Sequence, residues 1–415
     1  MIVRRIRPEE LKRTKELFSI AFEYAYDCDK DAMEVYEESL KEPKSREDVC
    51  LLEKYAAFLD DDMTMTSCLS ATRYPMQFDG HSVTMAGIGG VSSLPQYRRT
   101  GGIRGCFTQM LPELYADGVA FSCLYPFSTA YYRKFGYEVG GASKVYDLDL
   151  SYLPAYKGKG HCELLDETNR KRLSEDVKKV YQGWQQRYNG MIENESFEFV
   201  FATEANPYKK QEFVYLYYGE DATPKAYMVF HKEKDEKGQK LVCSKFVFAD
   251  VEGFKGLLAL AKTFASDHYC IQFRLPEDRN ITPLLAERSF GACKITESPL
   301  GMVRVVNVEC VLKLARYRGS GVISIQVSDP YIPENNGIFG VMFTNGKAVT
   351  VKRTEEREPQ IVMTIAEFSR WIMGTMDTEA LEFCEDVNIQ DRSIVDTGLV
   401  SQVFYKKPCY LMEYF

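Results

Sequence analysis

One run constrains this chain more than any other: Val91-Ser92-Ser93-Leu94-Pro95-Gln96-Tyr97-Arg98-Arg99-Thr100-Gly101-Gly102-Ile103-Arg104. The apolar stretch Val83–Val91 reads as a strand. The residues after the run, to about Ala116, put their apolar positions on one helical face, and Gly118 stops that helix. A strand that turns through two glycines into an amphipathic helix belongs to α/β packing, where helices cover a sheet. The glycines let the backbone turn tightly and approach a ligand. Successive amides at a helix N-terminus, aligned with its dipole, favour an anion such as a pyrophosphate. Arg98, Arg99 and Arg104 add positive charge. The backbone of Val91 and Ser93, just before the loop, could pair with an extended ligand arm. A basic surface turn is the plain alternative, and the length of the string favours the phosphate reading.

The surrounding pattern is alternating. Ile2–Ile6 reads as a strand, and Pro8-Glu9-Glu10 opens a helix. A second, acidic helix is expected over Asp31–Leu40, then strands over Tyr55–Leu59 and Met63–Met76, with Asp79-Gly80 as a tight turn. Val119–Leu124 reads as a buried strand, Ser128-Thr129 caps a short helix through Lys134, and Tyr137 begins another strand. After a break near Leu153–Gly160, strands near Glu212–Tyr218, Lys225–Lys232 and Lys240–Phe248, a helix over Gly253–Ser266 and a strand over Tyr269–Leu275 echo the first unit. There the turn reads Ala249-Asp250-Val251-Glu252-Gly253, whose acids would repel a pyrophosphate. From Met302 onward, Asn345-Gly346 signals a hairpin, Thr364 caps a helix through Met373, and the last residues, Cys409 to Phe415, read as a strand. At roughly 150 residues per domain, 415 residues make two or three domains. The boundaries fall at 1–152, 153–300 and 301–415, giving an α/β (α+β) architecture.

Charge and cysteines exclude whole classes. A net charge of −8 argues against a broad basic nucleic-acid surface. Glu23–Asp62 carries 14 acidic and 5 basic residues, so the rest of the chain is nearly neutral. Such a run could attract a cationic substrate, and it is equally what a solvated helical surface carries. The 12 cysteines include no two within four residues, which removes zinc-ribbon and thioredoxin readings. His81, His161, His231 and His268 are widely separated, so no metal site or triad is expected. The N-terminus shows no apolar signal core and no window is apolar enough for a membrane span. Cysteines used as small buried hydrophobes fit a reduced cytoplasm.

The Arg/Gly string resembles the acyl-coenzyme-A-binding motif of the GNAT acetyltransferase superfamily, Arg/Gln-x-x-Gly-x-Gly/Ala, here Arg98-x-x-Gly101-x-Ile103. Ile103 departs from the small last residue. The departure is similar to the enhanced intracellular survival (Eis) family, whose loop runs Pro-x-x-Arg-Arg-x-Gly-Leu-Leu-Arg. Pro95, Arg98, Arg99, Gly101, Ile103 and Arg104 fit it, and Gly102 differs mildly. Tyr132-Arg-Lys-Phe-Gly-Tyr137 likewise resembles that family's Tyr-Gly-Arg-Phe-Gly-Tyr.

The resemblance implies two tandem GNAT folds, the second degenerate, and a C-terminal sterol-carrier-protein-like domain. It implies acetyl-CoA as co-substrate, held by Val91, Ser92, Ser93, Arg98, Arg99, Thr100, Gly101, Gly102, Ile103, Arg104 and Ser128. It implies Tyr132 as general acid and the α-carboxylate of the terminal residue, here Phe415, as general base. Acidic Glu23, Asp27, Asp29 and Glu413 are the candidates for holding the amine, although Tyr414 stands where a family member has an acid. The acceptor would be an amine-bearing small molecule or a peptide or protein lysine. The resemblance also implies a homo-oligomer, with hexamers known in the family. The opposing reading is a non-catalytic lipid- or small-molecule-binding protein on a decayed acetyltransferase scaffold.

Overall fold

The computed structural model describes residues 1–26, 53–156, 160–193, 205–288, 291–354 and 358–414. The helix expected over Asp31–Leu40 lies outside them, as do Asp27, Asp29 and Phe415. Contacts along the chain divide it into two units, Met1–Gly141 with Gly301–Phe415, and Ala142–Leu300.

The first unit begins with Ile2–Arg5 (β1), Leu11–Phe22 (α1), Lys54–Phe58 (β2), Met65–Phe78 (β3) and His81–Ser93 (β4). Asp79 and Gly80 take φ of 50° and 89°, the left-handed pair that a two-residue hairpin between β3 and β4 requires. Gly102–Ala116 (α2), Phe121–Leu124 (β5), Thr129–Arg133 (α3) and Glu138–Val139 (β6) follow. α2 buries Ile103, Cys106, Phe107, Met110, Leu111 and Leu114, the spacing of one helical face. At its end Val119 donates to the Leu114 carbonyl and Gly118 to that of Tyr115. This closure needs the left-handed φ of 73° at Gly118, which is why the helix stops there.

The second unit contains Ala142–Asp149 (β7), His161–Leu164 (β8), Arg170–Gln185 (α4), Glu212–Tyr218 (β9), Pro224–Asp235 (β10), Gly238–Phe248 (β11), Val251–Lys262 (α5), His268–Pro276 (β12) and Cys293–Pro299 (β13). The chain then returns to the first unit with Met302–Val305 (β14), Val308–Leu314 (α6), Gly321–Ser328 (β15), Gly337–Thr344 (β16), Lys347–Thr354 (β17), Ile361–Thr364 (β18), Ile365–Met373 (α7), Val387–Ile389 (β19), Ser393–Asp396 (α8) and Leu399–Val403 (α9).

Among the described residues three sheets result, ordered β1-β2-β3-β4-β5-β14-β6, β13-β7-β12-β11-β10-β9-β8 and β17-β16-β15-β18-β19. In the first, β4 and β5 are parallel among antiparallel neighbours, joined through α2. In the second, β11 and β12 hold that place, joined through α5. The middle segment therefore does repeat the first domain's order.

Two strands lie apart from their sequence neighbours. Chain order groups 142–149 with the first domain, yet β7 pairs with β12 and β13. Met302–Val305 follows the second unit, yet β14 completes the first sheet between β5 and β6. Strand patterning marks a buried pleated segment without saying which distant edge it joins. The final residues also differ from the strand read in the sequence. Over 405–414 no strand forms and Cys409 alone makes a β-bridge, and Pro408 has no amide to give a ladder.

Candidate functional site

The site begins where β4 outruns β5. Their parallel pairing ends at Ile88↔Leu124, while β4 continues to Ser93. Tyr125-Pro126 carries the other chain away, since proline cannot extend a ladder. A bulge sharpens the divergence: Gly89 pairs with Ser70 but Ser92 with Cys68, so Gly90 and Val91 face a single residue of β3. Gly90 has φ of 60°, and a Cβ there would lie 2.5 Å from the Phe18 ring of α1. Leu94 donates its amide to Thr66 on the β3 side. By strand alternation the backbone groups of Ser93 point the other way, toward the gap. The serine side chains are engaged within the sheet. Ser93 Oγ bonds Ser67 Oγ at 2.7 Å, and buried Ser92 donates to the Gly90 carbonyl at 3.0 Å. What Ser92 and Ser93 offer a ligand is therefore main chain.

Beyond the gap lies the N-terminus of α2. Arg99 and Gly101 have φ of 68° and 97°, which turn the chain sharply into the helix. Gly102 is needed for a different reason: a Cβ there would lie 2.4 Å from Ser67 Oγ, so its absence lets the helix start rest on β3. Four other helices are capped by side chains, α3 by Ser128, α5 by Asp250, α6 by Asn307 and α7 by Thr364. The N-cap of α2 is Gly101, which has no side chain to give. Its first amides are left for a ligand or water. Arg98, Arg99, Thr100 and Arg104 are exposed, and Ile103 turns inward to the core. The three arginines form no ion pair among the described residues, whereas Arg4, Arg5 and Arg7 on β1 and the following loop are all paired with acids. Uncompensated charge at an uncapped N-terminus is the electrostatic signature of an anion site. In the second unit the equivalent α5 is closed: Asp250 accepts from the Gly253 amide at 2.8 Å, and Glu252 pairs with Lys225.

On the β5 side, α3 carries Tyr132. Its ring is buried, edge-on to Phe107, Phe127, Tyr131 and Tyr137 at centroid distances of 6.3, 5.4, 5.2 and 6.4 Å. Its hydroxyl has no hydrogen-bond partner among the described residues. Burial, with Tyr131 and Tyr137 nearby, pushes its phenol above the usual range, so it stays protonated. Tyr137 differs in kind: it is fully buried and its hydroxyl shares a hydrogen bond with Ser122 at 2.6 Å. Tyr131 is half-buried. Burial raises its phenol, and the charge of Arg104 acts in the opposite direction. Ser128, expected to touch cofactor, accepts from the Tyr131 amide at 3.4 Å as the N-cap of α3. Cys123 on β5 is buried and burial raises its thiol, which makes it a poor nucleophile.

The tail of the chain reaches the same end of β5. Tyr125 donates its hydroxyl to the Leu411 carbonyl at 2.7 Å, and its ring stacks on Tyr414 at 4.1 Å. Leu411 fills the space where a Cβ on Gly301 would stand, 2.6 Å away. Tyr410, Leu411, Met412 and Glu413 are buried. Glu23 is exposed at the C-cap of α1 with φ of 58°, just past Phe18. Sequence reasoning missed Tyr125 and Phe127. Phe127 is 72% exposed beside the Tyr132 ring, and its place between Pro126 and a Ser-Thr cap was the available signal. No cluster of His, Cys, Asp and Glu that could hold a metal occurs among the described residues.

A profile of acetyltransferase (GNAT) domains matches residues 2–140, and one of sterol carrier protein domains matches residues 308–411. The chain thus carries an N-terminal GNAT acetyltransferase domain and a C-terminal sterol-carrier-protein-like domain. A search of curated proteins finds no match. Among solved structures, a conserved Enterococcus faecalis protein described as a probable N-acyltransferase aligns with a TM-score of 0.82 at 22% identity, over 100% of this chain and 99% of that one. A GCN5-related N-acetyltransferase from Anabaena variabilis gives 0.82 at 18%, over 100% of both chains. Eis1 from Mycobacterium abscessus gives 0.76 at 17%, over 100% of both. At these identities the likeness is one of fold.

Proposed function

We propose that this chain is an acetyl-CoA-dependent N-acetyltransferase of the Eis type that acts on primary amines by direct attack in a ternary complex. The observation that carries the reading is the uncapped start of α2, ringed by Arg98, Arg99 and Arg104 and opening onto the gap beside β4. The pyrophosphate of the co-substrate rests on the amides of Gly101–Arg104, with Thr100 at the loop's edge. Its pantetheine arm runs along the backbone of Val91 and Ser93, which aims the thioester toward α3.

The chemistry follows from positioning. The amine nitrogen attacks the thioester carbonyl, the C–N bond forms and the C–S bond breaks. The departing thiolate takes a hydrogen bond or a proton from Tyr132. An unperturbed thiol titrates near pH 8.5, below the raised phenol, so Tyr132 chiefly donates a hydrogen bond as charge develops on sulfur. The amine's proton leaves through water or the α-carboxylate of Phe415. An α-carboxylate ordinarily titrates near pH 3.5 and an alkyl-ammonium near pH 10, so the main duty of this carboxylate is to orient the amine. Glu23, Asp27, Asp29 and Glu413 supply the acidic surroundings that draw in a cation. A cytoplasmic setting and a homo-oligomer, hexameric as in the Eis family, go with this reading.

The test is an acceptor screen. Acetyl-CoA is mixed with the protein and a panel of polyamines, aminoglycosides and lysine peptides, free thiol is followed, and products are identified by mass. An acetylated amine matching the thiol released supports the reading. No thiol above background with any amine, and no acetyl-CoA binding by calorimetry, sinks it.

A further inference from the structure

We infer that the buried Arg304–Asp329 pair is a positioning device for Tyr132, which gives the C-terminal part of the chain a direct duty in the reaction. The inference rests on the reading of Tyr132 as donor to the leaving thiolate. Arg304 sits on β14 between Val303 and Val305 and is 0% exposed. A guanidinium in such surroundings must be paired and hydrogen-bonded throughout. Its Nη2 donates to both carboxylate oxygens of Asp329 at 2.7 and 2.9 Å, and its Nη1 to the Val305 carbonyl at 2.9 Å. Its Nε donates to the Phe135 carbonyl at 2.8 Å.

Asp329 is fixed in turn. Its Oδ1 accepts from the amides of Tyr331 and Ile332 at 2.9 and 3.2 Å, and its Oδ2 from Asn335 Nδ2 at 2.9 Å. On the other side, the Phe135 amide donates to the Tyr132 carbonyl at 2.9 Å. The hydrogen bonds therefore run unbroken from Asp329 through Arg304 and Phe135 to Tyr132.

Two further contacts make this linkage rigid. The Phe135 ring stacks on Phe107 of α2 at 4.1 Å. Gly136, at φ of 81°, lets the guanidinium approach: a Cβ would lie 3.1 Å from Arg304 Nε and 2.7 Å from Ile365 of α7. The linkage matters because α3 is only 5 residues long, and its own cap bond is 3.4 Å. A helix that short does not hold itself. Its orientation, and that of the Tyr132 hydroxyl, is set by what grips its C-terminal end.

The test uses variants that keep the fold, because removing one partner alone leaves a buried charge uncompensated. Arg304→Met/Asp329→Asn removes both charges while an Asn oxygen can still hold the turn at Tyr331. Arg304→Lys keeps the charge balance but loses the fork that reaches Phe135 and Asp329 together. Each is measured in the full chain, with and without Tyr132→Phe, for kcat and for the KM of acetyl-CoA. With wild-type Tyr132, kcat is expected to fall at least about tenfold, as small misplacements do, with KM nearly unchanged. In the Tyr132→Phe background the same changes should have almost no further effect. A purely structural role would instead lower kcat equally in both backgrounds or raise KM. Either result, or unchanged kcat, overturns the positioning role while leaving Tyr132 as donor. Full turnover by Tyr132→Phe alone overturns the donor reading, and the positioning role with it.

Discussion

Tyr132→Phe separates chemistry from folding unusually cleanly in this protein. The ring is 2% exposed and held by four aromatic neighbours, all of which phenylalanine keeps. The hydroxyl has no partner among the described residues, so its loss strands no buried group, and the stability change should stay within about 0.5 kcal/mol. In the proposed mechanism the same hydroxyl would face a developing thiolate at a buried site. Removing one such donor elsewhere costs about 3 kcal/mol, or roughly a hundredfold in kcat. The assay is free-thiol release at saturating acetyl-CoA and amine, with calorimetric acetyl-CoA affinity and a thermal melt alongside. The expected result is a kcat lower by about two orders of magnitude with Kd and Tm unmoved. Turnover within about twofold of wild type would remove Tyr132 from the chemistry. A comparable loss of kcat with a Tm lowered by several degrees would show that the side chain is structural.

Replacing Arg98, Arg99 and Arg104 together by Gln should raise the KM for acetyl-CoA by roughly thirtyfold, at about 0.5–1 kcal/mol per exposed charge, and flatten its salt dependence. An unchanged KM would return the loop to an ordinary surface turn. Gly102→Val forces a Cβ to within 2.4 Å of Ser67 Oγ and should cost about 1–3 kcal/mol by urea melt while weakening acetyl-CoA binding. A neutral result would mean that α2 does not rest on β3 as described. Burial raises the phenols of Tyr132 and Tyr137, so the folded chain prefers their neutral forms. Their contribution to stability is complete below about pH 10, the unfolded value, and is lost as pH rises through it toward the folded values. Urea midpoints that climb from pH 9 to pH 11 would contradict this sign. Deleting Phe415, or extending the chain beyond it, should lower kcat/KM for the amine more than acetyl-CoA affinity, and a fully active C-terminal fusion would remove the carboxylate from the site.

Local chemistry was legible in the sequence wherever it acts through neighbours. Asp79-Gly80, Gly118, Ser128 and Thr364 mark turns, stops and caps because each works within a few residues of itself. The Arg/Gly string marked the start of α2, which begins at Gly102 without a side-chain cap, for the same reason. Long-range pairing left no such trace. Nothing in Ala142–Asp149 or Met302–Val305 says which sheet receives it, and only the registers with β12 and β5 reveal that. That the hydroxyls of Ser92 and Ser93 turn into the sheet was not legible either, because their partners, the Gly90 carbonyl and Ser67, are set by the bulge and by the neighbouring strand. Arg304 could have been flagged: a lone arginine inside Met-Val-Arg-Val-Val is either an edge residue or a buried one with a committed partner. Its partner, Asp329, lies 25 residues further along the chain, beyond the reach of local reading.

Acetyl transfer to nitrogen without an acetylated enzyme is the central step of the proposed mechanism. The measurement is a single turnover with acetyl-labelled CoA at stoichiometric enzyme, analysed by intact-protein and small-molecule mass spectrometry, with and without the amine found in the acceptor screen. Direct transfer in a ternary complex puts label on the amine nitrogen with an equal amount of free CoA, gives no free CoA without amine, and leaves no labelled protein at any time. Labelled protein that forms before product, or CoA released at the same rate whether or not amine is present, would contradict it.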